Sequence, residues 1–125
     1  MNKFIKTITP DRLSYEFLRS LNGLLDLTDR ELELLSTFLD VHQRNLKSRK
    51  YRSAIDATEN RKEIMFITGI TKDNLSRYIK MFKDKKIFVK DSGLTSFNRA
   101  LIPVIIANKV VQITMILKLN ENEQL

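Results

Sequence analysis

The chain has 125 residues, of which 42% are hydrophobic and 30% charged, so it can bury one core and falls within the range of ordinary globular domains. No cysteine is present, which excludes disulfides, thiolate metal sites and cysteine nucleophiles. The formal charge of +7 is concentrated, because residues 43–90 hold fourteen basic and five acidic residues, a net of +9. Such a concentration is expected of a polyanion-binding surface, and a solvated basic loop is the alternative.

Residues 1–27 predict a short N-terminal arm followed by a helix. Thr9 can cap this helix, and Pro10 then falls at the first helical position, where its missing N–H costs nothing. An apolar stripe follows at helical spacing: Leu13, Phe17, Leu21 and Leu24. The first ten residues have no apolar segment and no cleavage pattern, so we expect no secretory signal.

A second helix is marked by a capping box at its start, formed by Thr28 and Glu31. Its buried side is predicted to hold Leu32, Leu35, Leu39 and His42. His42 is the only histidine in the chain, and no pair of carboxylates lies near it at ligand spacing. We therefore interpret it as a structural or solvent-facing residue rather than a metal ligand or a catalytic base.

The stretch RNLKSRKYR at 44–52 is a basic segment with five cations and no acid. It has no apolar period, which predicts a loop or a fraying helix end. Contacts to backbone phosphates need only cationic side chains, so the candidate DNA-binding residues here are Arg44, Lys47, Arg49, Lys50 and Arg52. A docking strip for an acidic protein surface is the alternative.

Residues 56–85 predict two short helices joined by a tight turn. Asp56 and Glu59 can form a second capping box, and Gly69 stands where the chain must turn with positive φ. Thr71 is placed to cap the next helix. That helix is predicted to bury Leu75, Tyr78, Ile79 and Phe82.

Residues 63–88, EIMFITGITKDNLSRYIKMFKDKKIF, resemble the bacterial winged helix-turn-helix pattern. The positions that match in register are Glu63, Ile64, Gly69, Ile70, Thr71, Leu75, Ser76, Arg77, Ile79, Ile87 and Phe88. The resemblance covers about residues 28–102 and implies that the helix from Lys72 lies in a major groove of duplex DNA. Lys72, Asn74 and Arg77 would then reach base edges, with Thr71 and Lys80 on phosphates.

Two features of the same region argue against DNA binding. The face opposite Leu75 holds two potential i,i+4 ion pairs, Asp73–Arg77 and Lys80–Asp84, which would neutralise its cations locally. The tip of the predicted wing, residues 91–98, has no lysine or arginine.

The tail after residue 102 predicts strand structure. Asn108-Lys109 is a two-residue turn signal, and apolar and polar residues alternate from 110 to 119. One face of this long strand is expected to cover the core of the domain. Its free edge either pairs with a second copy or a larger complex, or folds back onto residues 3–8 to complete one sheet.

These patterns together predict an α+β fold: a winged helix-turn-helix with three to four helices, a wing hairpin, and an additional C-terminal hairpin or long strand. We expect a single domain (1–125) made of an N-terminal arm and helix (1–27), a winged-helix core (28–102) and a C-terminal strand extension (103–125). The longest apolar run, residues 100–107, is too short to cross a bilayer, which needs about 20 residues, so no membrane partner is expected.

The predicted function is non-enzymatic, because the three glycines are scattered and the single histidine has no convergent acid. No cofactor and no metal are expected. The first hypothesis is a duplex DNA-binding transcriptional regulator or replication factor in the cytoplasm of a bacterial or phage-infected cell. The alternative is a phage virion component, such as a ring or head-tail connector subunit, that forms a homo-oligomer or larger assembly through residues 110–119.

Overall fold

The computed structural model describes residues 4–48, 54–106 and 109–120, and within them the protein is α+β. Five α-helices, labelled α1 to α5, come first: Leu13–Ser20, Asn22–Leu25, Asp29–Ser48, Thr58–Thr68 and Lys72–Asp84. Two antiparallel hairpins follow, β1 with β2 (Phe88–Asp91, Leu94–Phe97) and β3 with β4 (Ile105–Ile106, Val110–Val111). This order of elements is compatible with a winged-helix layout. No helix in the described ranges is both long and apolar enough to cross a membrane.

The N-terminal helix is interrupted rather than continuous, which corrects the prediction. A 3-10 turn at Pro10–Arg12 precedes α1, and Leu21 leaves helical geometry between α1 and α2. Thr9 occupies the capping position, but its side chain makes no capping hydrogen bond. The side chain of Asn22 holds the chain after α2, because it donates to the carbonyl of Leu27 and accepts from its N–H, both at 2.9 Å.

Helix α3 begins at the predicted capping box and runs farther than expected. The backbone N–H of Thr28 donates to the Glu31 carboxylate at 2.8 Å, and the N–H of Glu31 donates to the Thr28 hydroxyl at 3.2 Å. The helix continues to Ser48, so Arg44 and Lys47 belong to its last turns rather than to a loop. The candidate residues Arg49, Lys50 and Arg52 lie outside the described residues.

The helix pair α4–α5 turns at Gly69, which has the predicted positive φ of 72°. Thr71 is the N-cap of α5, and its hydroxyl oxygen accepts from the backbone N–H of Asn74 at 3.4 Å. The predicted second capping box is wrong, because α4 begins at Thr58 with Ala57 as its N-cap. The Asp56 carboxylate accepts instead from the ammonium of Lys83 on α5, at 2.9 Å.

An antiparallel hairpin, β1–β2, forms at the residues predicted for the wing, and it is called the wing below. Ser92 and Gly93 form its two-residue turn with φ of 52° and 83°, the positive values that a tight hairpin turn requires. Four aromatic rings connect the hairpin to the helices: Phe38 on α3, Phe82 on α5, Phe88 on β1 and Phe97 on β2. Because Phe88 contacts the other three with centroids 5.2 to 5.3 Å away, the wing is held against α3 and α5.

The C-terminal hairpin is much shorter than the predicted strand. Ile105 pairs with Val111 and Ile106 with Val110, and residues 112–119 form no strand. Their side chains are exposed, so the expectation that one face covers the core is wrong. The fold-back alternative is also wrong for the described part of the arm, because Phe4 and Ile5 are exposed and pair with nothing there. The physical reason is that a two-residue strand cannot template a ten-residue partner.

Candidate nucleic-acid interface

Helix α5 is amphipathic, with its apolar side packed in the core. Leu75, Ile79 and Phe82 are buried, and the opposite side of the helix is open to solvent. The cations predicted to contact DNA lie on exposed positions of this helix: Lys72, Arg77 and Lys80. The core therefore fixes the helix in the orientation that presents these side chains outward.

Arg77 is oriented by an amide rather than neutralised by a carboxylate. Its guanidinium donates to the Oδ1 atom of Asn74 at 2.6 Å, one turn earlier on α5. Neither of the predicted ion pairs, Asp73–Arg77 and Lys80–Asp84, forms between these side chains. Because an amide carries no charge, Arg77 keeps its full positive charge while its direction is restricted.

Arg44, in contrast, is committed to a contact within the protein. Its two terminal nitrogens donate to the two carboxylate oxygens of Glu63, each at 2.5 Å, and this bidentate pair connects α3 to α4. The hydrogen bond from Arg44 lowers the pKa of Glu63, so the pair stays ionised at neutral pH. A phosphate would have to compete with Glu63 for this guanidinium.

Three further cations of the 43–90 segment hold the fold together, and sequence reasoning gave no signal for them. Arg61 donates to the backbone carbonyl of Asp56 at 2.7 Å and to the Ser76 hydroxyl at 3.2 Å. Lys83 pairs with the Asp56 carboxylate. Lys85 donates to the carbonyls of Leu25 and Asp26, at 3.0 and 2.8 Å, and so caps the end of α2.

Besides Arg77, the remaining positive charge in the described part of this segment lies on lysines that are free to meet a polyanion. Six exposed lysine side chains of this segment make no ion pair or hydrogen bond with any residue that the structure describes: Lys47, Lys62, Lys72, Lys80, Lys86 and Lys90. Lys62, Lys86 and Lys90 were not among the predicted contacts. Their signal in the sequence was the charge of the segment alone, since each lies outside the recognised helix-turn-helix positions.

The wing supplies one cation on its strand and one paired cation beyond it. Lys90 is exposed on β1, next to a turn that carries no charge of its own. Arg99 follows β2 and pairs with Asp91 at 3.4 Å, with both side chains largely exposed. The wing is therefore less basic than α5, as its sequence predicted.

A cavity of about 230 Å³ is lined by residues of both α3 and the wing, with Phe38, Ile55 and Phe97 among its apolar lining residues. His42 lies at this cavity, half-buried, with its ring centroid 5.5 Å from that of Phe97. Burial lowers the pKa of His42, so its neutral form is favoured. Among the residues the structure describes, no group of three potential ligands could hold a metal ion.

Comparison with known proteins gives no family: no protein-family model, curated protein or solved structure matches the chain. The function therefore has to be inferred from the residues and their geometry.

Proposed function

We propose that the protein is a winged-helix protein that binds duplex DNA through the exposed face of α5, as a transcriptional regulator or a replication factor. The observation that carries this proposal is the state of Arg77, a solvent-exposed guanidinium held in place by Asn74 and neutralised by no carboxylate. Arginine reads guanine through two parallel hydrogen bonds to O6 and N7 in the major groove. A restricted guanidinium loses less freedom when it makes these bonds.

The neighbouring side chains fit the same role. Lys72 is the first residue of α5, at the end of the helix where the proposal assigns base-edge contacts. The Thr71 hydroxyl oxygen is used by the N–H of Asn74, which leaves its O–H free to donate to a phosphate. Lys80, two turns along the helix, is exposed and suited to a second phosphate contact.

The basic segment contributes unequally in this proposal. Lys47 in the last turn of α3 is an exposed phosphate contact, and Arg49, Lys50 and Arg52 are expected to extend it. Arg44 is assigned to the link with Glu63 instead. Replacing Arg44 should then lower the free energy of unfolding more than it lowers the free energy of DNA binding by the folded protein.

Duplex binding measured at several salt concentrations tests the proposal. For a surface that displaces Z counterions, the logarithm of the binding constant falls with the logarithm of salt with a slope of about −0.9Z. Lys80→Ala should reduce this slope by about one for every duplex alike. Arg77→Ala should in addition relax the preference between duplexes that differ at one base pair.

The matched control is Arg19→Ala, which removes the same charge from an exposed position on α1. It should leave both sequence preference and the salt slope close to those of the native protein. Equal effects of Arg19→Ala and Arg77→Ala, or binding that does not respond to salt, would contradict the proposal.

A second candidate function is a phage assembly protein, such as a ring or connector subunit. The observation that favours it is the exposed apolar surface of residues 104–119, which nothing in the described chain covers. In that case purified protein should form ring-sized assemblies in light scattering and fail to bind duplexes at low salt. The two candidates also imply different locations, the cytoplasm of the bacterial or infected cell for the first and the virion for the second.

A further inference from the structure

Residues 104–119 carry an unusually large apolar surface for a chain of this size. Nine large aliphatic or methionine side chains in this segment are between 40% and 84% exposed. Taking roughly 100 Å² of apolar surface for each gives about 900 Å² per chain. The largest apolar patch on a typical monomer is roughly 300–600 Å², and such patches usually meet a partner.

The same segment has an open backbone. Within the described ranges, residues 112–119 make no backbone hydrogen bond to any other residue. The segment 104–119 contains two charged residues, Lys109 and Lys118, and no acidic residue. Unpaired N–H and C=O groups combined with alternating apolar side chains are the properties of a strand that lacks its neighbour.

We propose that this neighbour is the same segment of a second copy, paired antiparallel about a two-fold axis at Met115. Antiparallel pairing of two copies of one segment always has a two-fold axis, and an axis at Met115 places apolar residues opposite apolar residues. Val111 then lies opposite Leu119, Ile113 opposite Leu117, and Met115 opposite itself. All five apolar side chains share one face of the new sheet.

The charge pattern supports this register over its neighbours. With the axis at Met115, Lys118 lies opposite Gln112, so the two lysines of the dimer do not meet. A register shifted by one residue would place Lys118 opposite Ile113 and mix polar with apolar side chains.

Cysteine cross-linking tests the register, and the absence of native cysteine makes each introduced thiol unambiguous. Directly opposed residues in an antiparallel pair have Cα atoms about 4.5–5.5 Å apart, within the roughly 4.4–6.8 Å range of disulfides. Met115→Cys should therefore oxidise to a covalent dimer. Ile113→Cys alone should not, because its own copy lies four residues away along the partner strand, about 13 Å.

Mixing Ile113→Cys with Leu117→Cys should restore the cross-link as a heterodimer. Cross-linking of Ile113→Cys alone as fast as Met115→Cys would overturn the register. A monomeric mass for the native protein at concentrations up to roughly 100 μM would overturn the dimer itself.

A charge introduced into the segment gives a second readout. Ile113→Asp should convert the dimer to a monomer in sedimentation while leaving the thermal unfolding of the core unchanged, because Ile113 is already partly exposed. The matched control is Phe66→Asp, which places the same charge at an exposed apolar residue of α4 and should leave the dimer intact. Dissociation by Phe66→Asp and not by Ile113→Asp would overturn the proposal. Because these measurements contain no DNA, their result is independent of the proposed function.

Discussion

Replacing Phe88 tests whether the aromatic cluster holds the wing on the helices. Phe88 is 2% exposed and contacts three other rings at 5.2 to 5.3 Å. Truncating a buried phenylalanine to alanine costs about 3–5 kcal/mol, and three ring contacts place Phe88→Ala at the upper end of that range. Since domains of this size have only about 5–15 kcal/mol of stability, this variant loses about a third of it or more.

Phe88→Leu is the informative variant, because it keeps most of the apolar volume and removes the ring contacts. At about 0.5–1.5 kcal/mol for each of three contacts, the expected loss in the free energy of unfolding is about 1.5–4.5 kcal/mol. Urea denaturation followed by circular dichroism measures this loss, and the m-value should not change.

Phe66→Leu serves as the control, because Phe66 is 90% exposed and should respond by no more than about 0.5 kcal/mol. A difference of less than about 1 kcal/mol between the two leucine variants would refute the assignment of Phe88 to the core.

Three further predictions concern caps, turns and titration. Thr28→Ala should lower the free energy of unfolding by about 1 kcal/mol, and Thr71→Ala should lower it by less. The reason is that the capping hydrogen bond of Thr71 is longer than that of Thr28, 3.4 Å against 3.2 Å. Chemical denaturation of the two variants measures both losses. Gly69→Ala should destabilise the protein by about 1–2 kcal/mol, because φ is positive at this residue. Gly23→Ala should instead stabilise it by about 0.5–1 kcal/mol, because Gly23 lies in helix α2 with open space around it. Shifts of Tm in the same direction for both variants would contradict this. Burial lowers the pKa of His42 in the folded state. The contribution of His42 to stability is therefore present above its unfolded-state pKa and is lost as the pH falls through its folded-state pKa. His42→Gln should remove this part of the pH dependence of Tm.

The sequence predicted those elements whose signals lie within a few residues of one another. The capping box of Thr28 and Glu31, the positive φ of Gly69 and the cap at Thr71 each depend on a local contact or backbone angle. The exposed face of α5 was also predictable, because helical periodicity fixes which positions oppose the core.

Contacts between distant residues could not be predicted in this way. Lys85 meets the carbonyl of Leu25 sixty residues away, and Arg44 meets Glu63 across two helices. Nothing in their local sequence distinguishes these cations from the free lysines, so the basic segment was predicted to be uniformly available. The prediction of a long C-terminal strand was wrong for a different reason. The alternation from 110 to 119 predicts which residues share a face, but it does not predict whether a neighbouring strand exists.

The contacts at Asp56 imply that the helix pair α4–α5 and the contact of α3 with the wing respond differently to acid. Its carboxylate binds Lys83 and its carbonyl binds Arg61, so a single residue ties the entrance of α4 to α5. Burial alone would raise the pKa of Asp56, but the Lys83 hydrogen bond and charge outweigh it and lower the pKa overall. This tie therefore survives mild acidification, while His42, at the cavity between α3 and the wing, becomes protonated as the pH falls. Structural changes between neutral and mildly acidic pH should begin at the contact of α3 with the wing, and the helix pair should keep its geometry until the carboxylates are protonated.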